Sequence, residues 1–406
     1  MTPSKDKPEY WDGAVPWVSP KDMKVPVLSD SIDHVSEHAL SATGLRLHPV
    51  DSVMVVTRGM ILAHTFPVAR NAVPVTVNQD MKVLRAVNGV EPRYLSWMLQ
   101  GLQSVMLSLT DESAHGTKAL RTDQWENLPV PIPTSSLQAG IANFLDQQTI
   151  RIDALIAEKE RLVECLTELR YATVSWAVTG GLHAARGTWE TGNPFVCKLP
   201  TGWKLGGLTK FIGAVVDYRG KTPEKVEQGV LLVTARNIRN GFLDYTASAE
   251  FVRPEDYQEI MRRGRPQLGD VLFTTEAPLG EVANVDREDI ALAQRVVKFR
   301  GHEGIIDNFF LKYWLMGDAA QATLSTLATG STAEGIKASK LGQIPLAVPS
   351  MAEQREVVEY LEHRRLALDD AANHVKEHID RLREYRSSLI TAAVTGQLGN
   401  YNFTAH

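Results

Sequence analysis

From Ile141 to Leu169 the chain places Ile141, Leu145, Ile152, Leu155, Leu162, Leu166 and Leu169 on a series of alternating four- and three-residue steps. Gln148 and Lys159 occupy the polar places in that series. Steps of four and three put side chains on one stripe of a helix, the seam of a coiled coil. The same stripe returns at Val357, Leu361, Leu368, Val375 and Leu382, with Arg364, Ala371, His378 and Tyr385 between them. The spacing predicts two long helices whose seams pair as a coiled coil within one chain. About 40 residues at ~1.5 Å each give helices of ~60 Å. The polar places, Gln148, Lys159, Arg364 and His378, are expected to trade stability for register. Two separate core helices, one per domain, are the alternative.

Both helices have the same approach and the same stop. Alternating prolines, LPVPIP at 128–133 and IPLAVP at 344–349, hold the chain extended before each. Ser135 with Gln138, and Ser350 with Glu353, have the spacing of capping boxes. They differ by one residue in register, so at most one forms as drawn. Gly180 and Gly396 are natural ends.

These likenesses belong to an internal duplication. Residues 128–182 align without a gap on 344–398, an offset of 216, and both copies close with AVTG followed by GL or QL. Gln138/Gln354, Asp153/Asp369 and Arg170/Arg386 are among the identical pairs. The match extends more faintly upstream, with EPRYLSWML (91–99) against DNFFLKYWL (307–315) and VNQDMKVL (77–84) against LAQRVVKF (292–299). The chain therefore reads as one unit used twice, a globular domain followed by a long helix. Val-rich runs such as 51–64 and 265–277 predict strands among loops, and 94–109 and 309–327 predict helices. The fold class is mixed α/β for two globular domains, joined by two long helices in a coiled coil with pseudo-two-fold repetition. The expected boundaries are 1–135, first globular domain; 136–182, central helix; 183–198, linker; 199–349, second globular domain; 350–398, C-terminal helix; 399–406, tail.

Composition narrows the chemistry. The 406 residues are 44% hydrophobic and 22% charged, an ordinary globular balance. No run of ~18 apolar residues marks a membrane span, and the first residues lack a signal-peptide core. Two cysteines, Cys165 and Cys197, make a disulfide framework an unsuitable reading and point to the cytoplasm. The 11 histidines have no metal-ligand spacing. The net charge of -5 is unfavourable for a protein that must neutralise phosphates alone. Residues 198–350 carry 19 Lys+Arg against 18 Asp+Glu, and the other segments are net negative. Any DNA affinity must then come from local patches or from partner subunits.

Catalytic motifs are lacking. Gly220-Lys221-Thr222 looks like the end of a phosphate-binding loop, but six residues separate Gly213 from Gly220 where four are required. Asn193-Pro194-Phe195 lacks the second proline of an adenine-methyltransferase motif and is read as linker.

Two dissimilar globular domains, each followed by a proline-led helix closing in AVTG, is a layout that resembles the specificity subunits of type I restriction-modification systems. YWDGAVPWVSPKDMK (10–24), VDYRGKTP (216–223), TARNIRNG (234–241), LGDVLF (268–273) and ATGSTAEGIK (328–337) resemble segments of their target-recognition domains. One departure is that Thr2-Pro3 aligns with Thr222-Pro223, so some 20 residues of the second domain have no counterpart in the first copy.

The resemblance implies a non-catalytic chain. Each domain would read one half of a split target in double-stranded DNA, and the helices, paired as an antiparallel coiled coil, would set half-site spacing and dock two modification (methyltransferase) subunits. A restriction-translocase subunit would join for cleavage, and no membrane is involved. No cofactor is expected on this chain; S-adenosylmethionine, ATP and Mg belong to the partners. The residues expected at DNA are Ser19, Lys21, Lys24 and Gln79 in the first domain and Arg219, Lys221, Arg236, Asn237, Arg239 and Gln294 in the second. Arg and Lys suit guanine edges, and Asn and Gln suit adenine. The same residues would serve equally as solvated surface, turn or strand caps. A coiled-coil scaffold with two protein-interaction domains and no DNA binding is the alternative function.

Overall fold

The computed structural model describes residues 2–112, 117–218, 223–330, 334–399 and 403. The chain divides into two compact units, Met1–Glu160 with Lys376–His406, and Arg161–Val375. Each holds one globular domain, the first half of one long helix and the second half of the other. The central helix is Ser135–Val178 and the C-terminal helix Met351–Val394, 44 residues each. Gly180 and Gly396 end them at φ +96° and +76°, a region that glycine enters without a Cβ penalty.

In the first unit a four-stranded sheet runs Val27–Leu28, Val68–Asn71, Val53–Val56, Met81–Leu84. All four residues of Val53–Val56 are buried, as a strand covered on both faces requires. A second sheet orders Asp33–Val35, Trp11–Val18 and Thr76–Val77. The helix Pro92–Gly101 carries Tyr94, Trp97 and Met98 into the core, where they join Ile141, Leu145, Ile152, Leu389, Ile390 and Val394 of the long helices. Phe403, in the tail, sets its ring edge-on to Phe144, 5.4 Å between centroids.

The second unit repeats the plan. Its four-stranded sheet runs Ile212–Asp217, Val296–Gly301, Val271–Thr275, Leu279–Asn284. Its second sheet orders Phe251–Val252, Val230–Val233 and Ile290–Leu292. The parallel pairing of Val18 with Val77 recurs as that of Val233 with Leu292, 215 residues on at both positions, so the duplication extends through the domains. The helix Asn308–Met316 packs Phe310, Tyr313 and Trp314 against Val174, Ala177, Val357 and Leu361. Strands without a counterpart among the described residues of the first unit include Lys204–Gly207, its partner Pro345–Val348, and Ile212–Asp217. Between the central helix and the second domain lie a helical turn, Gly181–Arg186, and a hairpin, Thr188–Asn193 with Val196–Pro200. Asn193 accepts from the N–H groups of Phe195 and Val196, so Asn193-Pro194-Phe195 is that hairpin's turn.

The seam departs from the expected register. Buried or half-buried positions run Gln138, Ile141, Leu145, Thr149, Ile152, Ile156, Lys159, Val163, Leu166 and Arg170. The C-terminal helix follows the same series at an offset of 216, from Gln354, Val357, Leu361 and Arg365 through Leu368, Ala372, Val375, Ile379, Leu382 and Arg386. The extra four-residue step after Leu145 makes an eleven-residue repeat from Gln138 to Thr149, close to the 3.6 period of a straight helix, before heptads begin. Leu155, Leu162 and Leu169 therefore turn outward, 46%, 45% and 46% exposed. Thr149, Arg365 and Ile379 take the seam places expected of Gln148, Arg364 and His378. Pairing is antiparallel in each unit: Arg386 meets Asp153 at 2.8 Å and Arg383 meets Glu160 at 2.8 Å in the first, and Arg170 meets Asp369 at 3.4 Å in the second.

Ser350 and Glu353 form the expected capping box. Gln138 does something else. Its Oε1 accepts from the N–H of Glu91 at 2.8 Å, and its Nε2 donates to the carbonyls of Pro133 and Gly89. Gln354 makes the same three bonds, from Asp307 N–H and to Pro349 and Ile305. Glu91 and Asp307 are the N-caps of the domain helices, so one amide ties a cap to the start of a long helix. A second tie lies one turn on. Trp97 Nε1 donates to Asp146 at 2.8 Å, and the Tyr313 hydroxyl donates to Glu362 at 2.7 Å beside buried Lys312. Burial works to raise Glu362, but Tyr313, Lys312 and Arg365 outweigh it and hold the carboxyl below its ordinary value.

Gln138→Ala and Gln354→Ala each remove a buried carboxamide that bonds three backbone groups, most of them part-buried, so each should cost about 1–3 kcal/mol. Denaturant unfolding of the variants measures this; an unmoved midpoint would show that water replaces the amide.

Candidate nucleic-acid interface

In both domains the first strand of a parallel pair runs out into a short turn whose shape is set by one buried polar side chain. After Val18, the backbone N–H and hydroxyl of Ser19 donate to Asp22 Oδ2 at 2.8 and 2.9 Å, and Asp22 Oδ1 accepts from Ile32 N–H. After Val233, the N–H and hydroxyl of Thr234 donate to Asn237 Oδ1 at 2.9 and 3.0 Å. Asn237 Nδ2 donates onward to the carbonyls of Asp244 and Ser248. The turns superpose residue on residue at an offset of 215: Lys21 answers to Arg236 and Lys24 to Arg239. All four cations are exposed. The Arg239 guanidinium donates to the Arg236 carbonyl, which holds its stem against the turn.

The partner strand of each pair brings the glutamines alongside. Asn78 N–H donates to the Val18 carbonyl and Ala293 N–H to the Val233 carbonyl, each at 2.9 Å. Gln79 and Gln294 follow directly. Gln79 is exposed and its Oε1 accepts from the Thr2 hydroxyl, whereas Gln294 is half-buried and already engaged. One residue later the chain turns again in the same way. Thr57 donates its N–H and hydroxyl to the Asp80 carbonyl, and Thr275 donates its N–H and hydroxyl to the Arg295 carbonyl. The structure thus assembles one edge per domain from three segments, 18–24, 78–80 and 57–58 in the first and 233–239, 293–295 and 275–276 in the second.

Two expected DNA contacts are corrected by this geometry. Asn237 has no exposed surface, and its amide oxygen and nitrogen are both used within the fold, so it has no edge left for a base. Ser19 is 6% exposed and its hydroxyl is committed to Asp22. Both are braces for the cations beside them. Lys21 and Lys24 are exposed on the turn of the first domain, and Arg236 and Arg239 on that of the second. Arg219 and Lys221, with the loop Gly220-Lys221-Thr222, lie outside the described residues.

Four charged residues on these edges were missed by reading the sequence: Arg58 and Asp80 in the first domain, Glu276 and Arg295 in the second. A signal for two of them was present, since aligning 77–84 on 292–299 sets Asp80 opposite Arg295. Among the described residues no cluster of His, Cys, Asp and Glu is arranged to hold a metal ion, and Cys165 and Cys197 are both exposed. Among the described residues no helix is long and apolar enough to cross a membrane.

Known proteins share this organisation. The family described as type I restriction modification DNA specificity domain matches residues 1–164 and 225–377. The specificity subunit of the type I restriction enzyme EcoR124I/EcoR124II of Escherichia coli is 31% identical over 147 residues, 36% of this chain and 36% of that protein. The EcoBI specificity subunit of Escherichia coli is 25% identical over 337 residues, covering 80% of this chain and 70% of that one. A chain from a structure described as the basis of complex assembly and conformational transition of the type I R-M system superposes with a TM-score of 0.62. At 16% identity, over 92% of this chain and 88% of that chain, this likeness concerns the fold. With two matched segments that together span most of its length, each ending in a long helix, the chain belongs to the type I restriction-modification DNA specificity family.

Proposed function

We propose that this chain is the non-catalytic targeting component of a type I complex, each domain reading one half of a bipartite sequence in double-stranded DNA. The observation that carries the reading is the repeated edge, with the same braced turn presenting two exposed cations at the same strand end in both domains. Buried braces with free cations are what base or phosphate recognition needs, because the side chain that meets DNA must not also hold the fold. Lys21 and Arg236 stand at the crest of each turn, and Lys24 and Arg239 flank them. Gln79 is a weaker candidate beside them, and Gln294, already engaged, weaker still.

The long helices would act as a ruler between the half-sites and as the docking face for methyltransferase subunits, two in the full complex. Leu162 and Leu169, each almost half exposed, and Trp176, 46% exposed, recur every seven residues on the central helix. A stripe of that kind on a helix suits a partner's apolar surface. S-adenosylmethionine, ATP and Mg would reside on the partner methyltransferase and restriction-translocase subunits, in the cytoplasm where the DNA is. The low charge of this chain fits a complex in which partners supply part of the phosphate neutralisation.

Three outcomes follow. Arg236→Ala should leave stability within about 0.5 kcal/mol yet cost ~1–3 kcal/mol of discrimination at one base position, read from the methylation motif of the complex. A uniform loss across sequences, with a shallower salt dependence, would make Arg236 a phosphate contact. Asn237→Ala should do the reverse first, destabilising the fold by about 2–4 kcal/mol through its orphaned carbonyls and N–H, measurable by denaturant melting. Inserting one heptad after Leu155 and another after Ala371 preserves the seam phase and lengthens each helix by ~10.5 Å. The methylome should then show the same two half-sites with a spacer about three base pairs longer, at ~3.4 Å per base pair. A folded, active complex with the original spacer would refute the ruler. Methylation by the isolated chain without another protein would refute the non-catalytic role.

A further inference from the structure

The two readout edges share a backbone and differ in charge at two equivalent places. On the first, Arg58 follows Thr57 and Asp80 supplies the carbonyl that Thr57 grips. On the second, Glu276 follows Thr275 and Arg295 supplies the carbonyl that Thr275 grips. The order of charges is inverted: cation then anion in the first domain, anion then cation in the second. Each residue after the threonine also pairs with an incoming segment, Arg58 with Ala119 and Glu276 with Gly335, so the equivalence does not rest on one bond.

These charges are available to a ligand in different degrees. Arg58 is exposed and makes no ion pair among the described residues. Asp80 is half-buried and accepts from the Asn78 amide at 3.3 Å, which makes it the less mobile member of its pair. Glu276 and Arg295 approach each other at 3.6 Å with side chains 41% and 57% exposed. A pair that long and that wet holds its partners weakly, so either group can exchange its neighbour for a base. Arginine presents two parallel donors that match the O6 and N7 acceptors of guanine. A carboxylate has acceptors only; facing DNA it is repelled by phosphates unless it receives a hydrogen bond from an exocyclic amino group, as on cytosine.

We propose that this inverted pair is what makes the two half-sites different, with Arg58 reading a guanine in the half bound by the first domain and Glu276 reading a base amino group in the other. This assignment rests on the DNA-reading function proposed above. The cations of the turns, alike in both domains, would then contribute grip and a shared preference, and positions 58 and 276 the distinction.

The test uses the full chain assembled with its methyltransferase subunits and a pool of duplexes randomised in one half-site at a time. Arg58→Gln should relax selection roughly 5- to 100-fold at one base pair of one half-site, and Glu276→Gln by a like factor at one base pair of the other. Arg58→Lys, which keeps the charge but loses the fork, should relax the same base pair as Arg58→Gln. Thermal melts of the variants should match the parent, because neither side chain is buried. The proposal is overturned if either variant keeps the parent's preference, weakens all sequences evenly, or alters both half-sites together. It is also overturned if the lysine variant selects like the parent. If the unsubstituted complex itself shows no sequence preference in the pool, the DNA-reading function fails, and that result is distinct from any of these.

Discussion

A buried carboxamide must satisfy every donor and acceptor it carries, and in each unit one glutamine does so by holding three separate stretches of backbone. Gln138 and Gln354 each bind the cap of a domain helix, the loop before that cap and the proline that leads into a long helix. The consequence is angular. With the cap fixed to the helix start, the tryptophan or tyrosine farther along the domain helix meets one carboxylate of the long helix, Asp146 or Glu362. Apolar packing alone would tolerate small rotations of the domain on its helix. Polar groups that must be paired do not.

The strand-end edges inherit this fixity. The four-stranded sheet of each unit packs through Pro92–Gly101 or Asn308–Met316 onto the long helices, and the parallel pair beside it runs out at the braced turns. Polar ties of this kind hold a domain to its helix more rigidly than apolar packing does. The glutamine latch and the carboxylate tie supply that rigidity inside each unit, while the exposed ion pairs along the seam, such as Arg386 with Asp153, add little energy and help select the register.

Much of this was legible in the sequence, because duplication lets one copy interpret the other. The helices, their glycine stops and the mixed α/β domains follow from spacing and repetition. The antiparallel arrangement came from the family resemblance, and the structure ties it to the duplicated residues: Asp153 and Arg170 recur as Asp369 and Arg386, and each acid meets the arginine of the opposite copy. The seam register failed after Leu145 because leucine was taken as a mark of burial. Leu155, Leu162 and Leu169 are as apolar as Ile156, Val163 and Leu166, and only three-dimensional winding decides which row faces inward. Ser19 and Asn237 failed for a different reason. A polar side chain among cations looks like a reader, yet these two sit where the backbone turns, and a turn takes polar atoms for itself. The hairpin Thr188–Asn193 with Val196–Pro200 was hidden by its glycine, asparagine and proline, which mark a linker and a tight turn equally well.

The division of labour within the braced turns bears on how such proteins change over time. Asp22 and Asn237 carry the shape and are buried; Lys21, Lys24, Arg236 and Arg239 carry the charge and are not. Substitutions at the crest cost the fold almost nothing, so a lineage can sample new side chains there without passing through unstable intermediates. Because the second copy preserves the same scaffold, the same freedom is available in each domain independently of the other. Within each turn, tolerance and constraint alternate from one residue to the next.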